Sequence, residues 1–276
     1  MEKITVYEVG PRDGLQSASV KLTVDEKVEM INLLHDAGLK NIEVGSFVNP
    51  KRVPNMADSD EVYKQVSDLK VDLGVLIPNE KGLKRAQSVG AKKFNVFLSP
   101  LDSFNQSNLG MGLDSIISHY RSMLYGIPKD NIRVYVSHTF DNIAPEKVRS
   151  TLLAASHLGS TVVLCDTIGV ADVEDIHRVM KLTKGIRSKW AMHLHHNCEK
   201  RENILDNVQA GYQHGVREFD SSIGGLGGCP FSPGSGANLS TENLVSWAEE
   251  NNIDTGVNSK DLFKTITFVN NFKQTS

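Results

Sequence analysis

Apolar residues along this chain fall in short runs, and the runs alternate with stretches of helical period. Ile4–Val9, Asn41–Phe47, Val71–Ile77, Lys93–Ser99, Ile132–His138, Thr161–Asp166, Trp190–His195 and Val216–Ser222 are rich in β-branched and aromatic residues and have the length of strands. The first helix is predicted to start at Thr23, with Glu26 completing a capping box, and to run through Val28, Ile31, Leu33 and Leu34 to a stop at Gly38. Further helices are predicted near Asp58–Leu69, Glu80–Val89, Leu113–Tyr125, Pro145–Leu158, Val173–Ile186 and Arg201–His214, with two more near Thr241–Asn251 and Lys260–Asn271. Short strands each followed by a helix, in repeats of roughly 30 residues, predict an α/β chain folded as a (β/α)₈ TIM barrel. The last two helices are extra to the barrel, and 1–276 reads as a single domain, with no linker-like segment inside it. A doubly wound open sheet is the alternative. It is weakened because the first strand–turn–helix lacks the glycine fingerprint of a dinucleotide site.

Bulk properties narrow the function. The formal net charge is −3, from 30 Lys+Arg against 33 Asp+Glu, which leaves no electrostatic footprint for nucleic acid or an anionic membrane. No apolar run is long enough to span a bilayer, and no secretory leader is visible. Cys165, Cys198 and Cys229 have neither zinc-like spacing nor an even count, so a reducing, cytoplasmic setting is expected.

In a barrel of this kind the chemistry sits on the loops at the C-terminal strand ends. The polar residues predicted there are Glu8, Arg12 and Asp13, then Glu43, Ser137 and His138, Asp166, His193 and His195, and Asp220. They are joined by a glycine-rich loop, Gly224–Asn238, whose fifteen residues include six glycines and frame Cys229. Such a loop is expected to be a lid or catalytic loop. His193 and His195 are two apart, so on a strand both rings point to one face. With the Asp13 carboxylate and the Asn238 amide oxygen they make a candidate site for a divalent cation, Mg²⁺ or Mn²⁺. Arg12 is a fixed cation able to stabilise an oxyanion, or to pair with Glu8 or Glu43. Asp166 can orient a histidine, act as a base, or cap the turn after it. Cys229 reads as a general acid or nucleophile, or as a small apolar filler.

These residues carry a family resemblance. Pro11–Gln16, Ser46–Lys51 with Val53–Asp58, Asp166–Val170, the paired histidines and Gly225–Pro230 with Asn238 together resemble the 3-hydroxy-3-methylglutaryl-CoA lyases, a branch of the metal-dependent TIM-barrel lyases. The resemblance runs in order over nearly the whole chain. It implies retro-Claisen cleavage of a 3-hydroxy-3-methylacyl-CoA, for the family substrate into acetyl-CoA and acetoacetate. It also implies an acyl-CoA substrate and a homodimer. In that scheme Arg12 stabilises the enolate and Cys229 delivers the proton to carbon. Glu43 and Glu8 position Arg12 and the ligands, a base near His193 and Asp166 takes the hydroxyl proton, and Gln16, Glu8 and His138 face substrate.

Three stretches depart from the family pattern: Ser17–Ser19, where a cationic side chain is missing; His138–Asn142, which replaces a cysteine and a Gly-Cys-Pro turn; and His196–Glu199. All lie at the predicted substrate mouth. They leave the acyl group open, and with it two further readings: a condensing synthase of the same superfamily, and a metal-binding barrel without catalysis.

Overall fold

The computed structural model describes residues 1–16, 18, 19, 21–196, 203–227 and 236–273. Eight parallel strands close a barrel in chain order, and the eighth pairs with the first. They are Thr5–Glu8, Asn41–Ser46, Asp72–Leu76, Lys93–Leu98, Ile132–Val136, Thr161–Cys165, Lys189–His193 and Glu218–Ser221. The expected barrel is therefore the observed one. The strands are mostly a residue or more shorter than the apolar runs, because the ends of those runs have already turned into the mouth.

Alternation within each strand builds two separate apolar regions. Outward residues such as Ile42, Val44, Val96, Val134, Leu164 and Phe219 pack against the ring of helices. Inward residues Leu76, Tyr135, Val163, Cys165 and Ala191 form a small cluster in the lumen. The rest of the lumen is polar. Arg133, on the fifth strand, pairs with Glu218 and Asp220, and its guanidinium lies 4.1 Å over the Tyr7 ring. Asn95 donates to the Tyr7 hydroxyl at 2.9 Å and to Glu43 at 2.7 Å. A Cβ at Gly74 would stand 2.0 Å from the Tyr7 oxygen, so the third strand is bare where that ring crosses it. A barrel lumen is ordinarily filled by layers of branched apolar side chains. Here a hydrogen-bonded network takes that place and leads upward to the mouth.

The first helix, Val24–Asp36, has both halves of the Thr23–Glu26 capping box. Pro145–Leu158 spans the predicted residues. Val173–Leu182 ends earlier than predicted, and Ile204–Gln213 starts later, Arg201 lying outside the described residues. Two final helices, Thr241–Glu250 and Ser259–Lys273, follow the barrel, and the last packs against the first helix. Three features escaped the pattern. Helix Asp102–Leu109 is polar nearly throughout and ends at Gly110 with φ 71°. Glu2–Lys3 pairs in parallel with Ile253–Asp254, too short a match for periodicity to detect. Finally, Gly10–Gly14 is a wide helical turn rather than a simple break: Val9 O accepts from the amides of Arg12, Asp13 and Gly14. That turn carries Arg12 and Asp13 into the mouth. No helix among the described residues is long and apolar enough to cross a membrane.

Candidate active site

Asp13, His193 and His195 each offer one ligand atom, and these atoms lie within 4.8 Å of one another. The seventh strand stops at His193, yet His195 stays extended because it forms an antiparallel bridge with Asn238. Leu239 N–H donates to Leu194 O and His196 N–H to Ala237 O. The far end of the glycine-rich loop is thus sewn to the strand carrying the histidines. Leu194, between them, is buried on the opposite side, as alternation requires.

Second contacts fix which nitrogen each ring presents. His193 Nδ1 faces Asp220 Oδ2 at 3.2 Å, and His195 Nδ1 faces the Asp166 carbonyl oxygen at 2.7 Å. On each ring Nε2 is the remaining nitrogen, the arrangement of ligating histidines. His195 Nε2 is buried and has no hydrogen-bond partner among the described residues. A buried lone pair is costly to leave unmet, and a cation meets it. Asn238 Nδ2 donates to Asp13 Oδ2 at 2.9 Å and to Leu226 O at 2.8 Å. Both amide hydrogens are then used, and the amide oxygen remains as a ligand atom. Gly227, at φ 97°, lies against this group, where a Cβ would come within 2.7 Å of Asn238 Nδ2. The donor set therefore fits a divalent cation.

The charges agree with that use. Burial works against ionised Asp13, but Arg12, His193 and His195, with the Asn238 bond, outweigh it and hold the carboxyl at about 2. Burial and the neighbouring His193 press His195 down to about 4, so it is neutral. Burial also opposes a charged His193, but Asp220 overrides it and raises its pKa. The sequence places Asp220 on a strand without marking a role for it, and Arg133 and Asn95 stand in strands with no motif around them. The signal was present: each is a polar residue at an inward position of a strand buried on both faces. We expect Asp220→Asn to weaken divalent-cation affinity about 10–100-fold, read by calorimetric titration, because His193 loses the group that fixes its tautomer. Unchanged affinity would make Asp220 a lumen filler.

Arg12 is clamped. Its Nε donates to Glu43 Oε2 and its Nη1 to Asp13 Oδ1, both at 2.6 Å. Nη2 has no partner among the described residues. Glu43, fully buried, also accepts from Asn95 and Tyr135. It anchors the guanidinium rather than meeting substrate. Gln16 donates to Asp13 at 3.3 Å and sits at the rim of the group.

Two expectations need correcting. Glu8 does not face substrate. Its carboxylate accepts from Gly10 N–H, Ile223 N–H and the Thr241 hydroxyl, and the residue has no exposed surface. It ties the first strand to the chain beyond the eighth. The Asp166 carboxylate is a turn cap, accepting from the amides of Val170 and Ala171. It orients His195 through its main-chain carbonyl, not its side chain. Burial lifts the Asp166 carboxyl to about 6 against those hydrogen bonds. His138 ends the fifth strand run, with Nδ1 2.8 Å from Asp141 Oδ2. Cys229, Cys198, Ser17 and 197–199 lie outside the described residues.

The HMGL-like family model matches residues 3–269. The chain is 35% identical over 268 residues to hydroxymethylglutaryl-CoA lyase of Pseudomonas mevalonii, covering 93% of this chain and 88% of that protein. It is 33% identical over 267 residues to a Pseudomonas aeruginosa protein named 3-hydroxy-3-isohexenylglutaryl-CoA/hydroxymethylglutaryl-CoA lyase, covering 93% and 88%. Among solved structures, an HMG-CoA lyase from Acinetobacter baumannii, in complex with coenzyme A and 3-methylmalate, superposes with a TM-score of 0.88 at 33% identity, over 96% of this chain and 89% of that one. With the barrel closed in the same way and the likeness running almost from end to end, this chain belongs to the HMGL-like family.

Proposed function

We propose that the protein is a carbon–carbon lyase that cleaves 3-hydroxy-3-methylglutaryl-CoA, or a close relative of it, into acetyl-CoA and a 3-oxoacid. The observation that carries this reading is the adjacency of two features. A cation-ready group of Asp13, His193, His195 and Asn238 stands next to a guanidinium that Glu43 holds in place. The relatives named for this activity, and the one solved with coenzyme A, support an acyl-CoA substrate.

A Mg²⁺ or Mn²⁺ ion held by those four side chains would polarise the substrate's hydroxyl and a carboxylate or carbonyl oxygen. The remaining work falls to the protein. The hydroxyl proton goes to a base beside His193 at the mouth, the Asp166 carboxylate being committed to its own turn. The bond between the hydroxyl-bearing carbon and the α-carbon then breaks, its electron pair passing to the thioester as an enolate. Arg12, whose Nη2 has no partner among the described residues, neutralises the enolate oxygen without giving up a proton, since its Glu43 and Asp13 partners hold its pKa above the usual arginine value against burial. The Cys229 thiol protonates the α-carbon and completes acetyl-CoA. The family resemblance further points to a homodimer, and the odd cysteine count without zinc-like spacing to a reducing, cytoplasmic setting.

The reading is tested by incubating the protein with Mg²⁺ and a panel of 3-hydroxyacyl-CoA thioesters and following acetyl-CoA release. Cleavage of none of them sinks it; condensation of acetyl-CoA with a 3-oxoacid in preference to cleavage would favour the synthase reading. Within it, Cys229→Ala is expected to lower turnover about 10²–10⁴-fold, with cation affinity unaltered because the thiol is not a ligand. Parent-like turnover of that variant would assign the proton to another group.

A further inference from the structure

Across the mouth from the cation group lies a second polar constellation. In a closed ring of eight strands the fifth stands opposite the first, so the turn after Val136 faces the turn bearing Asp13. His138 sits on that turn in the left-handed region, at φ 58°, and is only 6% exposed. A side chain held at positive φ is uncommon outside glycine and marks a conformation that the surroundings impose. Its amide donates to Thr167 Oγ1 at 2.7 Å, tying it to the loop after the sixth strand. The Phe104 ring, from the helix after the fourth strand, packs edge-on 4.8 Å from the imidazole. Nδ1 is engaged by Asp141.

Two buried atoms of this turn have no partner among the described residues: His138 Nε2 and Asp141 Oδ1. With Nδ1 engaged by the carboxylate, Nε2 is the remaining nitrogen of the ring. The turn therefore offers an imidazole nitrogen and a carboxylate oxygen, both unmet among the described residues. A carboxylate on the ligand would meet repulsion from Asp141. A methyl would leave both atoms buried and unmet. A hydroxyl donates and accepts at once, so it can bond the Asp141 oxygen and the imidazole nitrogen together.

We propose that His138 and Asp141 form a specificity turn selecting acyl-CoA substrates that carry a hydroxyl on the branch pointing away from the cation group. The proposal rests on the lyase reading above. Asp141 occupies Nδ1 of the imidazole and would repel a terminal carboxylate, so the turn suits an uncharged polar group. The bond from the His138 amide to Thr167 places the turn beside Asp166, whose carbonyl orients His195.

A matched pair of thioesters tests it: 3-hydroxyglutaryl-CoA bearing hydroxymethyl, or ethyl of nearly the same size, in place of the 3-methyl group. The parent protein with Mg²⁺ is expected to favour the hydroxymethyl thioester about 10–100-fold in kcat/KM. His138→Gly, which accepts the positive φ, and Asp141→Asn are each expected to bring that ratio down toward one. Cation affinity, measured alongside, reports that the variants are folded. A parent ratio near one overturns the proposal. So does an equal loss on both thioesters in the variants, which would make the turn structural or directly catalytic. If 3-hydroxy-3-methylglutaryl-CoA and both analogues remain uncleaved, the lyase reading fails by itself. Equilibrium binding of the pair then decides the turn: tighter binding of the hydroxymethyl thioester upholds it, and equal binding overturns it.

Discussion

Excess chelator is expected to take turnover to background, and added Mg²⁺ or Mn²⁺ to restore it. The ligand atoms of Asp13, His193 and His195 already converge, and His195 Nε2 is buried with nothing to bond to. Moving one of these groups should be severe, so His195→Ala is expected to abolish activity at cation concentrations that saturate the parent. The pH dependence has a definite sign. Cation binding needs a neutral His193, whose proton is held more tightly than in an ordinary histidine because Asp220 outweighs burial. Apparent cation affinity should therefore fall as pH drops through the histidine range, starting above the usual 6.5. His195, already lowered to about 4, adds no competition there. Mn²⁺ titrations between pH 5 and 8 read this directly, and a flat profile or full turnover in chelator would reject the cation reading.

Arg12 should be the next most sensitive position. Removing a donor aimed at a developing oxyanion costs about 10²–10³ in turnover. Arg12→Gln also strands the Glu43 carboxylate in the lumen, and breaking a buried pair in this way costs about 3–5 kcal/mol of stability. Arg12→Lys separates the two effects. It keeps a positive charge beside Glu43 and Asp13 but lacks the planar fork that reaches three ways. We expect the lysine variant to melt near the parent, bind Mn²⁺ comparably and still lose about 10²-fold or more in kcat. Parent-like turnover would leave Arg12 only the structural duty of pairing with Glu43.

The barrel was legible because parallel strands buried on both faces must be short and continuously apolar, and these runs recur with helices between them. The convergence of Asp13, His193, His195 and Asn238 was legible for the same reason: His193 ends its strand and the other three lie past C-terminal strand ends. What the sequence concealed was direction. Asp166 and Glu8 have the composition of catalytic carboxylates. Only the fold shows that one is turned toward its own loop amides and the other toward Ile223 and Thr241. The roles of Arg133, Asn95 and Asp220 required knowing which strand residues face the lumen and how high each sits. That depends on inter-strand register, which one chain's periodicity does not encode.

The bonds made by Glu8 bear on how the molecule comes to exist. They join residues 215 and 233 positions apart, and the Asp13–Asn238 bond joins residues 225 apart. Contacts of such separation reward the chain only after an almost complete loop has closed, so they form late in folding. Strands one to seven alone would carry Arg12, Asp13 and His193 but lack both Asn238 and the Asp220 that fixes His193. Catalytic competence is thereby deferred to the last act of barrel closure, and a chain halted partway through synthesis carries most of the ligands but no working centre.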